Sequence, residues 1–177
     1  MAKYRRYRKY TRARRARWSS NLLEIGTTTI QAPQNSTFYN DFTLAFNPLQ
    51  TNTATSQTYT VKNLEVTFEV STSGVVLSYL EDITAYIMFK PQGMNVTSSY
   101  NLEHPEYIMA YKFLGSPTAD APQSMAQPIK VRTRLARTLN TGDSIILFIK
   151  GNNTASGTGM DGTLEVHGLV RWWTKAN

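Results

Sequence analysis

Between Leu64 and Ser71 the sequence alternates with a period of two: Leu64, Val66, Phe68 and Val70 are apolar, while Glu65, Thr67, Glu69 and Ser71 are polar. A strand puts successive side chains on opposite faces, so this pattern demands one dry face and one wet one. Tyr59 and Val61 continue the pattern in the opposite phase, which predicts a bulge near Lys62 and Asn63. Alternation recurs in Phe42, Leu44 and Phe46, before a turn at Asn47 and Pro48. It recurs again in Ile83, Ala85, Ile87 and Phe89, and in Leu164, Val166, Val170 and Trp172. Ser144 to Lys150 is apolar on both faces, as suits a central strand covered on both sides. Leu23 to Ile30 reads as a weaker strand, and Pro105 to Leu114 fits either a short helix or a strand. The Gly, Asn and Thr-rich stretch from Gly151 to Gly162 reads as a surface loop closing a hairpin between its flanking strands.

No segment of the body carries a helical stripe longer than about a dozen residues, and no internal repeat is evident. The expected fold class is all-β: a two-sheet antiparallel β-sandwich of about eight strands. A single jelly roll leads over immunoglobulin-like and oligonucleotide-binding barrels. Ten Tyr and three Trp among 177 residues suit pleated, half-buried surfaces.

Charge divides the chain in two. Met1 to Trp18 holds Lys3, Arg5, Arg6, Arg8, Lys9, Arg12, Arg14, Arg15 and Arg17 and no acidic residue, a block of +9. The formal net charge is +7, so residues 19–177 carry −2. Residues 1–18 are therefore expected to form a basic arm, and 19–177 the folded domain. Such a block repels itself and gains most by displacing counterions from a polyanion. Seven of its nine cations are Arg, whose planar fork matches phosphate oxygens. Tyr4, Tyr7, Tyr10 and Trp18 are interleaved as stacking platforms for bases. The threefold tyrosine spacing, with no Gly or Pro before Gly26, would let the arm become helical once phosphates neutralise it. Fully extended, it would reach about 60 Å. The arm has no sequence-reading motif, so its binding should be salt-sensitive and sequence-tolerant. A nuclear-import signal is a second use for such a tract.

A second basic set lies in Pro128 to Leu139, where Lys130, Arg132 and Arg134 alternate with Ile129, Val131, Thr133 and Leu135. On an extended chain the three cations share a side, either as a solvated face with ion pairs or as a ladder for phosphates. Arg137 falls out of this phase.

Catalysis is not expected. His104 stands in a Glu-His-Pro-Glu turn and His167 in mid-strand, neither with a partner readable from sequence, and Glu81-Asp82 reads as turn chemistry. No metalloprotease, nucleophile-elbow, phosphate-loop or dinucleotide motif occurs. With no cysteine there is no disulfide, thiolate site or thiol nucleophile. No metal or cofactor is expected. The charged N-terminus and the lack of an apolar run of some 18 residues argue against secretion and membrane insertion. The sequons at Asn35, Asn95 and Asn152 are accordingly not expected to be glycosylated.

The order of these features resembles the capsid proteins of circoviruses and related small circular single-stranded DNA viruses. The tract KYRRYRKYTRARRARW looks like that family's arm, YTVKNLEVTFEV like its long early strand, and LFIKGNNT with LEVHGLVRWW like its final hairpin. The resemblance implies a jelly roll whose copies form a small icosahedral shell, with arms inward on the genome and loops outward. Partners would be the viral genome, single-stranded DNA ahead of RNA, further copies of the chain, nuclear-import receptors and a host attachment factor. The chain would reside in the virion and pass through the host nucleus during assembly. The competing class is a cellular or phage single-stranded nucleic-acid-binding β-barrel, which would display aromatics on a sheet face. On the sequence, the tyrosines stand mainly in the arm and turns.

Overall fold

The computed structural model describes residues 18–47, 58–73, 79–115, 128–156 and 161–176. Among the described residues, nine strands make two antiparallel sheets. They are β1 (Ser19–Ala32), β2 (Ser36–Phe46), β3 (Tyr59–Ser73), β4 (Leu80–Lys90), β5 (Ile108–Gly115), β6 (Ile129–Thr133), β7 (Arg137–Leu139), β8 (Ser144–Asn153) and β9 (Gly162–Ala176). The first sheet runs β1-β9-β3-β6, with β7 also on β3, and the second runs β2-β8-β4-β5. β6 and β7 pair with successive parts of β3, as one interrupted strand. Eight strand positions therefore result, four per sheet. The first strand pairs with the last, the second with the next to last, and so inward, alternating between sheets. That wrapping is a jelly roll.

The predicted phases locate the core. Leu64, Val66, Phe68 and Val70 are buried, as are Ile83, Ala85, Ile87 and Phe89 opposite them. The bulge in β3 falls where the phase slip requires it: the pairing with β9 shifts between Lys62 and Glu65, and Asn63 takes a φ of 50°. Asn tolerates that left-handed conformation better than most residues. Glu81 and Asp82 sit at a similar irregularity in β4, where Asp82 has a φ of 54° and accepts a hydrogen bond from Asn152 Nδ2 at 3.3 Å.

Three sequence expectations need correction. Phe46 is exposed rather than in the core, because a register shift between Thr43 and Ala45 puts Ala45 inside in its place. Leu135 is exposed too, because β6 ends at Thr133. β8 and β9 do not form a hairpin: they belong to different sheets, and β8 extends to Asn153 before the chain crosses over. Alternation fixes a strand's dry face but is silent about its partner. The ambiguous Pro105 to Leu114 resolves into a 3₁₀ turn, Pro105–Tyr107, followed by β5.

β8 is buried on both sides, as its composition predicts. Ile145, Leu147 and Ile149 face the first sheet, while Ile146 and Phe148 join Met88 and Tyr100 in a second cluster on the outer face. The segment after β4, including a helical turn α1 (Tyr100–Glu103), folds back over that face and brings in Met94, Val96 and Tyr107. The Tyr100 hydroxyl donates to the Phe89 carbonyl at 3.1 Å. At one end of the sandwich the buried Asp143 carboxylate accepts the backbone N–H groups of Gln92 and Asn140 at 3.0 and 2.9 Å, tying two loops to the start of β8.

Gly168 lies in mid-β9, directly across from Phe68 and in phase with the core residues. A Cβ there would meet the Thr67 carbonyl oxygen and stand 2.7 Å from Phe68 Cα. Gly168→Ala is therefore expected to lower stability by about 1–3 kcal/mol, the usual cost of overpacking, read as a lower denaturant midpoint.

Burial is the main cause of a rise in the Tyr100 phenol pKa from 10.0 to about 12, with Tyr107, Asp41 and Glu106 adding to it. In the unfolded chain the phenol ionises near its ordinary value, so its contribution to stability is complete below pH 10 and is lost as pH rises towards 12. Tyr100→Phe should cost about 1 kcal/mol at neutral pH through the lost hydrogen bond. It should also remove part of the alkaline destabilisation between pH 10 and 12, as measured by thermal melting across that range.

Candidate nucleic-acid interface

The inward phase of the first sheet fixes what it shows outside. Reading the register from the arm end gives successive rows across β9, β3 and β6. They are Lys175 and Thr60; Trp173 and Lys62; Arg171, Glu65 and Arg132; Leu169, Thr67 and Lys130; His167 and Glu69; Glu165 and Ser71. Five cations, Lys62, Lys130, Arg132, Arg171 and Lys175, thus occupy the half nearest the arm, with Glu65 among them and Glu24 beside Leu169 on β1. Glu69 and Glu165 occupy the far half. The near half extends about 20 Å along the strands at 3.4 Å per residue.

Trp18, where the arm meets the fold, lies on this same half. The Lys62 ammonium sits 3.7 Å from the Trp18 ring centroid, a cation–π contact. The Arg171 guanidinium lies 5.9 Å from the ring centroid of Trp173, and Trp173 is directly across from Lys62. Aromatic rings and cations therefore alternate from the arm's root into the sheet.

Of the second basic set, Lys130 and Arg132 point outward from β6 and are exposed, while Ile129, Val131 and Thr133 are buried. Lys130 Nζ is 3.1 Å from Glu65 Oε1, so this lysine has an internal counterion. Arg132 is directly across from the same Glu65. Arg134 is exposed just past the end of β6. Arg137 opens β7, its guanidinium 4.1 Å from the Phe89 ring centroid, which separates it from the other three. The arm residues Lys3, Tyr4, Arg5, Arg6, Tyr7, Arg8, Lys9, Tyr10, Arg12, Arg14, Arg15 and Arg17 lie outside the described residues. Lys62, Arg171, Trp173 and Lys175 escaped the sequence reading, although the outward phase of Thr163 to Trp173 contained the signal: if Trp172 faces in, Arg171 and Trp173 face out.

The outer face of the second sheet is different. Tyr39, Phe148, Tyr86 and Tyr111 follow one another across β2, β8, β4 and β5 with ring centroids 6.0–6.2 Å apart. Tyr39, Tyr111 and the neighbouring Phe113 are exposed. This corrects the expectation that tyrosines belong mainly to the arm and turns. Lys90 pairs with Asp41 at 3.1 Å on that sheet.

Both histidines have carboxylate neighbours that the sequence did not reveal. His104 Nδ1 is 3.3 Å from Glu106 and its ring stacks on Tyr107, and His167 Nε2 is 3.6 Å from Glu69 across the strand pair. Among the described residues no group of three His, Asp or Glu side chains is placed to hold a metal ion. No helix among them is long and apolar enough to cross a membrane.

Glu65→Gln isolates the electrostatics of the near half. Its ion pair is exposed, so stability should change by less than about 1 kcal/mol. Removing the one carboxylate between Lys130, Arg132 and Arg171 should strengthen retention on an immobilised polyanion, seen as elution from heparin at higher salt.

No family model matches the sequence, and no curated protein does. Among solved structures, the fold is similar to that of infectious bursal disease virus Gx strain, at 10% identity and a TM-score of 0.39, over 89% of this chain and 32% of the other. It is also similar to the decameric BFDV capsid protein, at 9% identity and a TM-score of 0.37, over 90% of this chain and 99% of the other. The chain spans about a third of the length of the first. At about one residue in ten identical, these are likenesses of chain path, and no residue's role is transferred from them.

Proposed function

We propose that this chain is a viral coat protein whose jelly-roll body self-assembles into a closed shell and whose Arg/Tyr-rich N-terminal arm packages the genome. The observation that carries the reading is the joining of a +9 block directly to the first strand of a jelly roll whose remainder has a charge of −2. A nearly neutral body lets copies pack without mutual repulsion, while the arms supply positive charge to one enclosed polyanion. Counterion release makes that association favourable with no need for base-specific contacts. Apolar side chains left outside, such as Phe46, Leu102 and Leu135, offer surface for subunit contacts. In this reading the packaged genome is single-stranded DNA of a circovirus-like virus, with RNA the second option. The arm also serves import into the host nucleus, the mature chain resides in the virion, and exposed loops meet a host attachment factor.

The test is negative-stain electron microscopy of the full-length protein beside a variant with Arg5, Arg6, Arg8, Arg12, Arg14, Arg15 and Arg17 changed to Gln, with the 260/280 nm absorbance ratio of each. Closed particles of uniform diameter are expected from the full-length protein, with nucleic acid inside the wild type and little in the variant. A wild-type protein that stays monomeric or dimeric with and without added nucleic acid would overturn the reading.

A second reading, a monomeric single-strand-binding module, is favoured by the aromatic row Tyr39, Tyr86 and Tyr111 with Phe113 on the second sheet. Exposed rings on a sheet face are stacking platforms for bases. Under that reading Tyr111→Ala with Phe113→Ala would abolish oligonucleotide binding while the arm is intact.

A further inference from the structure

We infer that the arm-proximal half of the first sheet is a second single-stranded nucleic-acid site, in which Lys62, Arg132 and Arg171 hold phosphates and Trp173 stacks a base. The inference rests on the nucleic-acid-binding role proposed for the arm and adds a body site to it.

Its ground is the segregation of charge on that face. The register puts five cations against Glu65 and Glu24 in four successive rows and leaves Glu69 and Glu165 beyond them, so the excess of positive charge lies in a strip at one end of the face. The end it favours is the end from which the arm emerges, because Trp18 is held against Lys62 at 3.7 Å. A strand captured by the nine arm cations is thereby delivered to a surface that continues the same chemistry.

The rings make the strip more than a patch of charge. Trp173 is half-buried, across from Lys62 and flanked by Arg171, so its ring is held in position while part of it stays accessible. A flat ring between two cations suits a nucleotide, whose base needs a stacking face and whose phosphate needs a nearby charge. On the second sheet Lys90 is neutralised by Asp41, whereas Lys150 lies directly across from Tyr39 and Lys112 between Tyr111 and Phe113, so those two cations are the comparison in the test. Lys130 is the least available cation of the strip because Glu65 already holds it. It is therefore left unchanged in the test.

The test measures binding of a fluorescein-labelled oligothymidylate to the full-length chain across a salt series, with circular dichroism confirming the fold of every variant. Each phosphate contact on a single strand contributes about 0.7 to the slope of log K against log salt. The triple variant Lys62→Gln, Arg132→Gln and Arg171→Gln should flatten the slope by about 2, three contacts at that value. Trp173→Ala should weaken binding roughly ten-fold, the scale of one lost stacking contact, with the slope unchanged. A control, Lys112→Gln with Lys150→Gln on the second sheet, should leave the slope where it was.

An unchanged slope in the triple variant, or an equal loss per cation in the control, would overturn the body site. The first result would assign all binding to the arm, and the second would reduce the effect to net charge. Neither bears on whether the full-length chain forms shells, so failure here and failure of the coat-protein reading are separate results.

Discussion

Every strand of this sandwich has one face that must stay dry, and that requirement governs both the core and the outside. β3 is the pivot. It pairs with β9 on one side and with β6 and β7 on the other, and its residues Val61, Leu64, Val66, Phe68 and Val70 are all buried. Those five do not follow a single period of two, so the strand needs an extra residue between Val61 and Leu64. The left-handed Asn63 supplies it. Without that bulge, half of β3 would turn its apolar side chains to water. Gly168 answers the same demand from β9, since a side chain there would push against the β3 backbone.

Once the inner phase is set, the outer one has no freedom. Glu65 must then lie between Arg132 and Arg171, and Lys62 beside Trp173, because each pair is directly opposed in antiparallel strands. The polar faces of the two sheets diverge accordingly. The first carries its cations at the end where the chain enters β1. The second carries a row of aromatic rings, half covered by the segment around Tyr100. The two outer faces of the jelly roll thus differ in chemistry, one charged and one aromatic.

The functional reading depends on a division of labour between arm and body. The proposed binding to a polyanion rests on nine positive charges within eighteen residues. The proposed assembly rests on a body with a charge of only −2, which leaves little electrostatic opposition to packing copies together. The cation-bearing half of the first sheet joins the two parts, since Trp18 and Lys62 fix the arm's root on that surface.

The sequence by itself determined most of the strands and their dry faces, the bulge near Lys62 and Asn63, the double burial of β8 and the division of charge between residues 1–18 and the remainder. Each of these is local, set by the order of apolar, polar and charged residues within a dozen positions. Only the tertiary structure decided which strand lies beside which. The apolar run of β8 and the alternation of β9 look the same whether the two form a hairpin or belong to opposite sheets, and hydrogen-bond partners leave no mark on side-chain order. For the same reason the candidate site was half legible. Lys130 and Arg132 stood out as neighbours in one strand, whereas Lys62, Arg171, Trp173 and Lys175 join them only because antiparallel pairing lays residues a hundred positions apart side by side.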